Sequence, residues 1–528
     1  MSAVVTDQFR IFNAGNFVDS VLDTNNSYYV FLGLSDPTTP NPGFGRTTTW
    51  NTSPPNPTDN LQYESQYRST ALFGKKITTQ NIRRVIRKVQ WTANTAYDMY
   101  RQDYSPTNLS PVSQTARLYD SNYYVVNSDY NVYVCIDNGS YGPYKSASAT
   151  PGTSKDEPTF TDLEPSVAGA GNDGYIWKFL FSIAPSDIVK FDSTEYIVVP
   201  NDWATSTNSQ IQNVREAADS TINFNQLKTV YIDTQGSGYD NGTWTVDILG
   251  DGTGGKVSLT VTGGKITSAT VTAGGTGYTY GMVDLGGLQQ GTPSTFANLI
   301  PIIPPSRGHG YNIYKELGAD RVLVYARFDD STKDFPTDTK FAQVGILKNP
   351  STYTSENTIF TSDKYSSLGA IKFNATDTAL WPSEPTIGTK ITQVRSSDNL
   401  TAKGYVASYD KETSILKYYQ DRSLYDNQSY SNNQDYIGIS SDAQVLDFQG
   451  NNSIKFVSGA DDTSPAIAFT GRTVTDGNKE IDLGVYFTGG FADPEINKTT
   501  GDVIYIDNRK VVSRDSRQKE DIKIILEF

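Results

Sequence analysis

The sequence predicts a mainly β protein: a β-sandwich-like core with few short helices and an inserted glycine-rich β-module. Three observations carry this expectation. Hydrophobic residues form only 37% of the 528-residue chain and charged residues 19%, leaving a chain rich in small polar residues, with 43 Gly and 34 Tyr. Tyr and Thr suit half-buried pleated surfaces, whereas Gly, Asn and Asp supply tight turns. Short apolar or alternating segments bounded by such turns recur along the chain, and helical periodicity is scarce.

Taken in order, "NSYYVFLGLSD" (26–36) reads as a buried strand. The Pro-rich stretch 36–60 reads as a long irregular loop, either functional or pinned by a neighbour. In "NIRRVIRKVQW" (81–91), Arg83, Arg84, Arg87 and Lys88 interleave with Ile82, Val85, Ile86 and Val89, which predicts an apolar stripe backed by a solvated basic face, with a basic patch docking an acidic protein surface as the alternative. Residues 120–137 read as two strands joined at an Asn-Ser-Asp turn, and a second long loop covers 138–165.

In residues 172–202, Asn-Asp-Gly makes a turn, after which Tyr175, Trp177, Phe179 and Phe181 alternate on one strand face. Ile176, Leu180 and Ile183 occupy the other face, so this strand should be covered on both sides. "APSDIV" begins a short helical turn, and "EYIVVP" is a strand ended by Pro200. Composition then shifts. Residues 229–284 carry "GSGY" (236–239), its near-repeat "GTGY" (275–278), and two Gly-rich hairpin turns between them. From 320 onward strands return, including a hairpin about "DKET" (410–413). The expected organisation is an N-terminal β-rich core region (1–228), the inserted module (229–284) and a C-terminal β-rich region completing the core (285–528).

Charge narrows the function classes. The formal net charge is −14, and because affinity for nucleic acid comes from neutralising phosphates, no nucleic-acid partner is expected. No run approaches the ~20 apolar residues of a membrane-spanning helix, and the N-terminus lacks the basic start and apolar run of a secretory signal. Synthesis in a cytoplasm, with no membrane insertion, is the expectation. Cys135 is the only cysteine and sits in an alternating strand, so it should be a buried structural thiol.

Catalytic sets are hard to assemble from this composition. His309 is the only histidine, flanked by Gly308 and Gly310, and is expected to hydrogen-bond locally in a turn before "YKELG". No nucleophile elbow or phosphate loop occurs, and "DILGDGTGG" (247–255) lacks the closing Glu of a calcium loop. Acid pairs such as Asp329-Asp330 and Asp461-Asp462 carry no distinguishing signal for glycoside hydrolysis. The expectation is a protein that is not an enzyme, with no catalytic residues, cofactor or metal.

Two segments resemble a known family, the gene-product-eight baseplate wedge subunit of T-even-type contractile-tailed phages. The first carries Asp173, Gly174, Tyr175 and Trp177, then Glu195, Tyr196 and Pro200, matching a D-G-Y-x-W strand followed by an E-Y-I-V-V-P strand. The second is the C-terminus, with Gly501, Tyr505, Asn508, Arg509, Gln518, Glu520 and Phe528. "FRIFNAGNF" followed by "YYVFLGLSDP" is a weaker echo, and "GHGYNIYKELGA" and "FAQVGILKNP" resemble longer, cyanophage-like relatives. The 229–284 module and much of 300–480 have no counterpart in the shorter members. The resemblance implies a virion structural protein located in the tail baseplate. It would form a homodimer within each wedge of a six-fold baseplate, contact other wedge subunits, and act in assembly and in rearrangement on infection. The rival expectation is a carbohydrate-binding adhesin or receptor-binding tail protein using Tyr239 and Tyr278 of the Gly-rich module.

Overall fold

The computed structural model describes all residues except 1–3, 36, 39–46, 141–150, 171, 220–223, 289–292, 330–334, 336–338, 421–444, 477–478 and 516–517. Asp330 and part of each long loop therefore lie outside the described residues. The chain is mainly β, with several antiparallel sheets and six mostly short α-helices among the described residues. It divides into two compact units built from non-contiguous stretches: residues 1–18, 83–323 and 524–528 form the first, and 19–82 and 324–523 the second.

In the first unit, a four-stranded sheet runs in the order Tyr124–Val126, Asn131–Asn138, Tyr175–Ser182, Ser166–Val167. The turn between its first two strands closes as the sequence predicts: the Asn127 side chain accepts hydrogen bonds from the Asp129 and Asn131 amides. Tyr175, Trp177, Phe179, Leu180 and Phe181 are all buried, so this strand is covered on both faces. Cys135, opposite Trp177 in the register, is fully buried. Pro185 then occupies the first turn of the Pro185–Phe191 helix, where its missing amide costs nothing, and Tyr196–Val199 follows as a strand.

The Gly-rich segment forms its own sheet in this unit, ordered Lys265–Thr276, Thr253–Thr262, Gly242–Gly250, Gly281–Val283, beside a strand pair Val230–Thr234 and Asn298–Pro301. Its "TGGK" turn has Gly263 at φ +61° and Gly264 at φ +73°, two successive positive φ values that match the twist of a two-residue hairpin. Val246, Ile248, Val257, Leu259, Val261 and Ile266 alternate inward to a separate apolar core, which also takes in Leu288 and Leu299.

The second unit holds a five-stranded sheet ordered Lys364–Ser366, Ala71–Lys76, Tyr28–Gly33, Lys340–Lys348, Asp502–Ser513. Every residue of Tyr28–Gly33 is buried. A six-stranded sheet follows the order Lys455–Phe456, Lys390–Val394, Thr401–Asp410, Ile415–Tyr419, Gly369–Lys372, Phe491–Ala492, and includes the hairpin expected at 410–413. The Pro-rich loop is pinned where it is described. Trp50 donates its indole N–H to the Arg509 carbonyl at 2.6 Å, and the Asn508 side chain donates to the Pro55 carbonyl at 2.9 Å.

Two helices depart from the expected pattern: Asp7–Leu22 and Ser209–Asp219. The basic segment departs as well, since Ile82–Arg87 is a strand whose arginines are half-buried and engaged by neighbours. Arg83 pairs with Asp187 at 3.0 Å and Lys88 with Asp192 at 2.8 Å. The Arg84 guanidinium lies 3.9 Å from the centre of the Tyr314 ring, and Arg87 donates to the Asp120 and Ser121 carbonyls. Carboxylates, carbonyls and a ring of the same unit take up part of the place assigned to water.

Candidate functional site

The residues carrying the resemblance do not converge on one site. In the first unit, the Asp173 carboxylate accepts the Lys155 and Tyr175 amides at 2.8 and 3.0 Å, while Gly174 takes φ +82°. That Asp-Gly pair sets the turn that launches the following strand. The Tyr175 hydroxyl donates to the Gly152 carbonyl at 2.7 Å and accepts the Tyr97 amide at 2.9 Å. The Tyr175 ring stacks on Trp177 at 5.6 Å. The Glu195 carbonyl accepts the Lys88 amide, and the Pro200 carbonyl accepts the Tyr314 hydroxyl. Phe528 sets its ring 5.5 Å from Phe17.

The second unit holds the rest. Gly501, at φ +87°, has no room for a side chain, because a Cβ would stand 2.9 Å from the Lys348 carbonyl oxygen. Tyr505 lies opposite Ile346 in the register, and the Asn508 side-chain Oδ1 accepts a hydrogen bond from Gln343 Nε2 at 2.8 Å. The Arg509 guanidinium meets Asp507 at 2.7 Å, and Gln518 closes a turn with Asp515. Glu520 pairs with the fully buried Arg514 at 3.1 Å. Each of these contacts shapes backbone or core, and none presents a reactive atom.

His309 is buried and anchored. Its Nδ1 lies 2.7 Å from Glu316 Oε1, the other Glu316 oxygen accepts the Gly310 amide at 2.7 Å, and the Tyr100 ring meets the imidazole edge-on at 4.8 Å. The flanking glycines take φ +109° and +93°, so the turn needs them. The imidazole therefore closes a local turn, as the sequence suggests. The two tyrosines of the Gly-rich repeat are core residues as well. The Tyr278 hydroxyl donates to the Ile248 carbonyl and accepts the Gly255 amide, and Tyr239 caps the Ala297 amide. Neither ring offers a face to a sugar.

Among the described residues, each unit holds a recess. The first, about 340 Å³, is lined by Glu195, Tyr196 and several cations, and its charges are internally matched. Arg321 pairs with Asp320 and Glu527, Lys88 with Asp192, and Arg117 with Asp7 and Asp120. The second, about 280 Å³, lies in the second unit and gathers Tyr353, Tyr418, Asp447 and Asp493. The Tyr353 hydroxyl meets Asp447 Oδ2 at 3.2 Å. Burial raises both carboxyls above their ordinary range, and for Asp447 the neighbouring Asp493 adds to the rise. Sequence reading missed this group because consecutive members stand 29 to 65 residues apart in the chain, with no local spacing to flag them. Among the described residues, no three His, Cys, Asp or Glu side chains gather to hold a metal, and no helix is long and apolar enough to cross a membrane.

No family model matches the chain. The chain is similar to the baseplate wedge protein gp8 of Enterobacteria phage T4, at 26% identity over 38% of this chain and 60% of that protein. The match thus spans less than two thirds of the relative. The similarity is distant, and it is to a phage baseplate structural protein rather than to an enzyme.

Proposed function

We propose that this chain is a structural subunit of a contractile phage tail baseplate wedge, acting through protein–protein contacts in baseplate assembly and in its rearrangement on infection. The distant similarity to a baseplate wedge protein carries this reading. In this reading the chain is made in the host bacterial cytoplasm and resides in the virion tail. It forms a homodimer in each wedge of a six-fold baseplate and contacts the other wedge subunits. The longer chain would belong to the cyanophage-like variants of that family. The family-motif residues, from Asp173 to Phe528, serve as scaffold, since their hydrogen bonds set turns and strands.

Exposed apolar groups supply contact surface. Leu249 and Met282 are opposite each other on the Gly-rich sheet, 47% and 61% exposed, with Tyr280 close by in sequence. Phe9 and Phe12, three residues apart on the N-terminal helix, are 54% and 64% exposed. Apolar residues clustered on a surface mark interfaces more often than isolated ones do. The adhesin reading loses its named residues, because Tyr239 and Tyr278 are buried.

The test is an affinity pull-down of the tagged chain from lysate of phage-infected cells, identified by mass spectrometry. Recovery of other wedge subunits at fixed stoichiometry is the expected result. Recovery of the chain alone, or with host glycans, would refute the wedge role.

A further inference from the structure

We propose that the recess bounded by Tyr353, Tyr418, Asp447 and Asp493 binds an alkyl guanidinium or ammonium group, presented as an arginine or lysine side chain by a neighbouring protein subunit. The cation chemistry stands on the recess itself, while naming a neighbouring subunit as its source rests on the baseplate reading.

The lining of the recess favours a cation. Its wall is rich in acceptors: ionised carboxylates accept hydrogen bonds and donate none, and the tyrosine hydroxyl oxygens can accept as well. Asp447 holds one hydrogen bond, from Tyr353, and Asp493 accepts none from any described residue. Burial raises the Asp493 carboxyl. Lys498 also lines the recess, and Arg395 opposes the rise at Asp447.

Tyr418 gives the independent sign of a missing partner. It is only 6% exposed, and its ring is clamped edge-on against Phe448 at 4.8 Å. A Cβ on Gly369 would fall 2.5 Å from its hydroxyl oxygen, so this glycine is what lets the ring lie there. The hydroxyl reaches the recess and hydrogen-bonds to no described residue. A ligand N–H entering the recess would supply that hydroxyl oxygen with a donor.

The competing ligand classes fit less well. A sugar needs an open aromatic face, and the Tyr418 ring is enclosed by Phe448 and Gly369. A bare metal ion is far smaller than about 280 Å³, and no third ligating side chain joins the two carboxylates. A planar guanidinium, with five donors on a flexible stem, satisfies two carboxylates and a hydroxyl together.

The experiment titrates the full-length chain, carrying ¹³C-labelled tyrosine rings, with Nα-acetyl-arginine methylamide, its neutral citrulline isostere and spermidine. Tyr353→Phe and Tyr418→Phe assign the two resonances. The arginine probe should shift both saturably, with a dissociation constant on the order of millimolar, and citrulline should not. Asp493→Asn removes a carboxylate that accepts no hydrogen bond from a described residue, so the fold should survive while affinity falls about tenfold. An equal response to citrulline would overturn the proposal, as would unchanged affinity in Asp493→Asn or no saturable shift from either cation up to about 50 mM. Spermidine binding tighter than the arginine probe would reassign the site to free polyamines and overturn the side-chain source. The titration needs no other wedge protein, so an empty pull-down would sink the baseplate reading and leave this result standing.

Discussion

Truncating Trp177 to alanine should unfold the first unit's sheet at far lower denaturant. Trp177 is fully buried, stacked on Tyr175 at 5.6 Å and met edge-on by Tyr97 at 5.7 Å. A buried indole removes about 200 Å² from water, and at about 25 cal/mol per Å² this amounts to about 5 kcal/mol, of which the alanine methyl retains a part. The expected loss is about 3–5 kcal/mol, in the range of other Trp→Ala core truncations. Its Nε1 adds a sharper test, because that N–H is buried and has no hydrogen-bond partner. Trp177→Phe keeps a stacked ring and deletes the unsatisfied donor, so the regained desolvation roughly balances the small cavity. Its net change should stay within about 1 kcal/mol. Because two units can melt separately, the assay is hydrogen exchange of peptides spanning 131–138 and 175–182. A loss below about 1 kcal/mol in the alanine variant would refute the packing argument. A phenylalanine variant as damaged as alanine would refute the account of the indole nitrogen.

Three further outcomes follow from single contacts. Glu316→Ala strands the His309 ring and the Gly310 amide in a buried site, and should cost about 2–4 kcal/mol in chemical denaturation, with Glu316→Gln costing less. Equal losses in the two variants would show that the hydrogen bonds are not the cause. Tyr278→Phe should cost about 2 kcal/mol and speed exchange of the Gly255 amide, and unchanged protection there would contradict the role given to the hydroxyl. Lys178, whose ammonium donates to the Leu163 carbonyl, is drawn down to about 8 by burial. Between pH 8 and the ordinary lysine value of 10.5 the unfolded chain binds more protons at this site, so its contribution to stability rises with pH. The midpoint difference between wild type and Lys178→Met should shift in favour of wild type from pH 7.5 to about 10; a flat difference would refute the assignment.

The legible parts of the fold were those with strong local signals. Tyr175–Ser182 could be read because its aromatics alternate at period two, and the "TGGK" hairpin because two glycines meet the demand for positive φ. The helix Asp7–Leu22 escaped for the opposite reason. Its buried Ile11, Ala14, Val18 and Val21 follow helical spacing, but exposed Phe9 and Phe12 blur the stripe, and Asn13, Gly15 and Asn16 lower helix propensity. The basic segment was read as solvated because Asp187 and Asp192 lie about a hundred residues away, and sequence spacing says nothing about such partners.

The sequence alone determined that the chain is mainly β, where many of its strands and turns fall, and that His309 and Cys135 are structural. Those properties follow from backbone preferences and side-chain periods that act over a few residues. Only the tertiary structure decided that residues 1–18, 83–323 and 524–528 close into one unit and the intervening stretches into another. Only it brought Tyr353, Tyr418, Asp447 and Asp493 to one recess. Which strands become neighbours is set by the burial of apolar faces over hundreds of residues, and that choice carries no short-range signature in the chain.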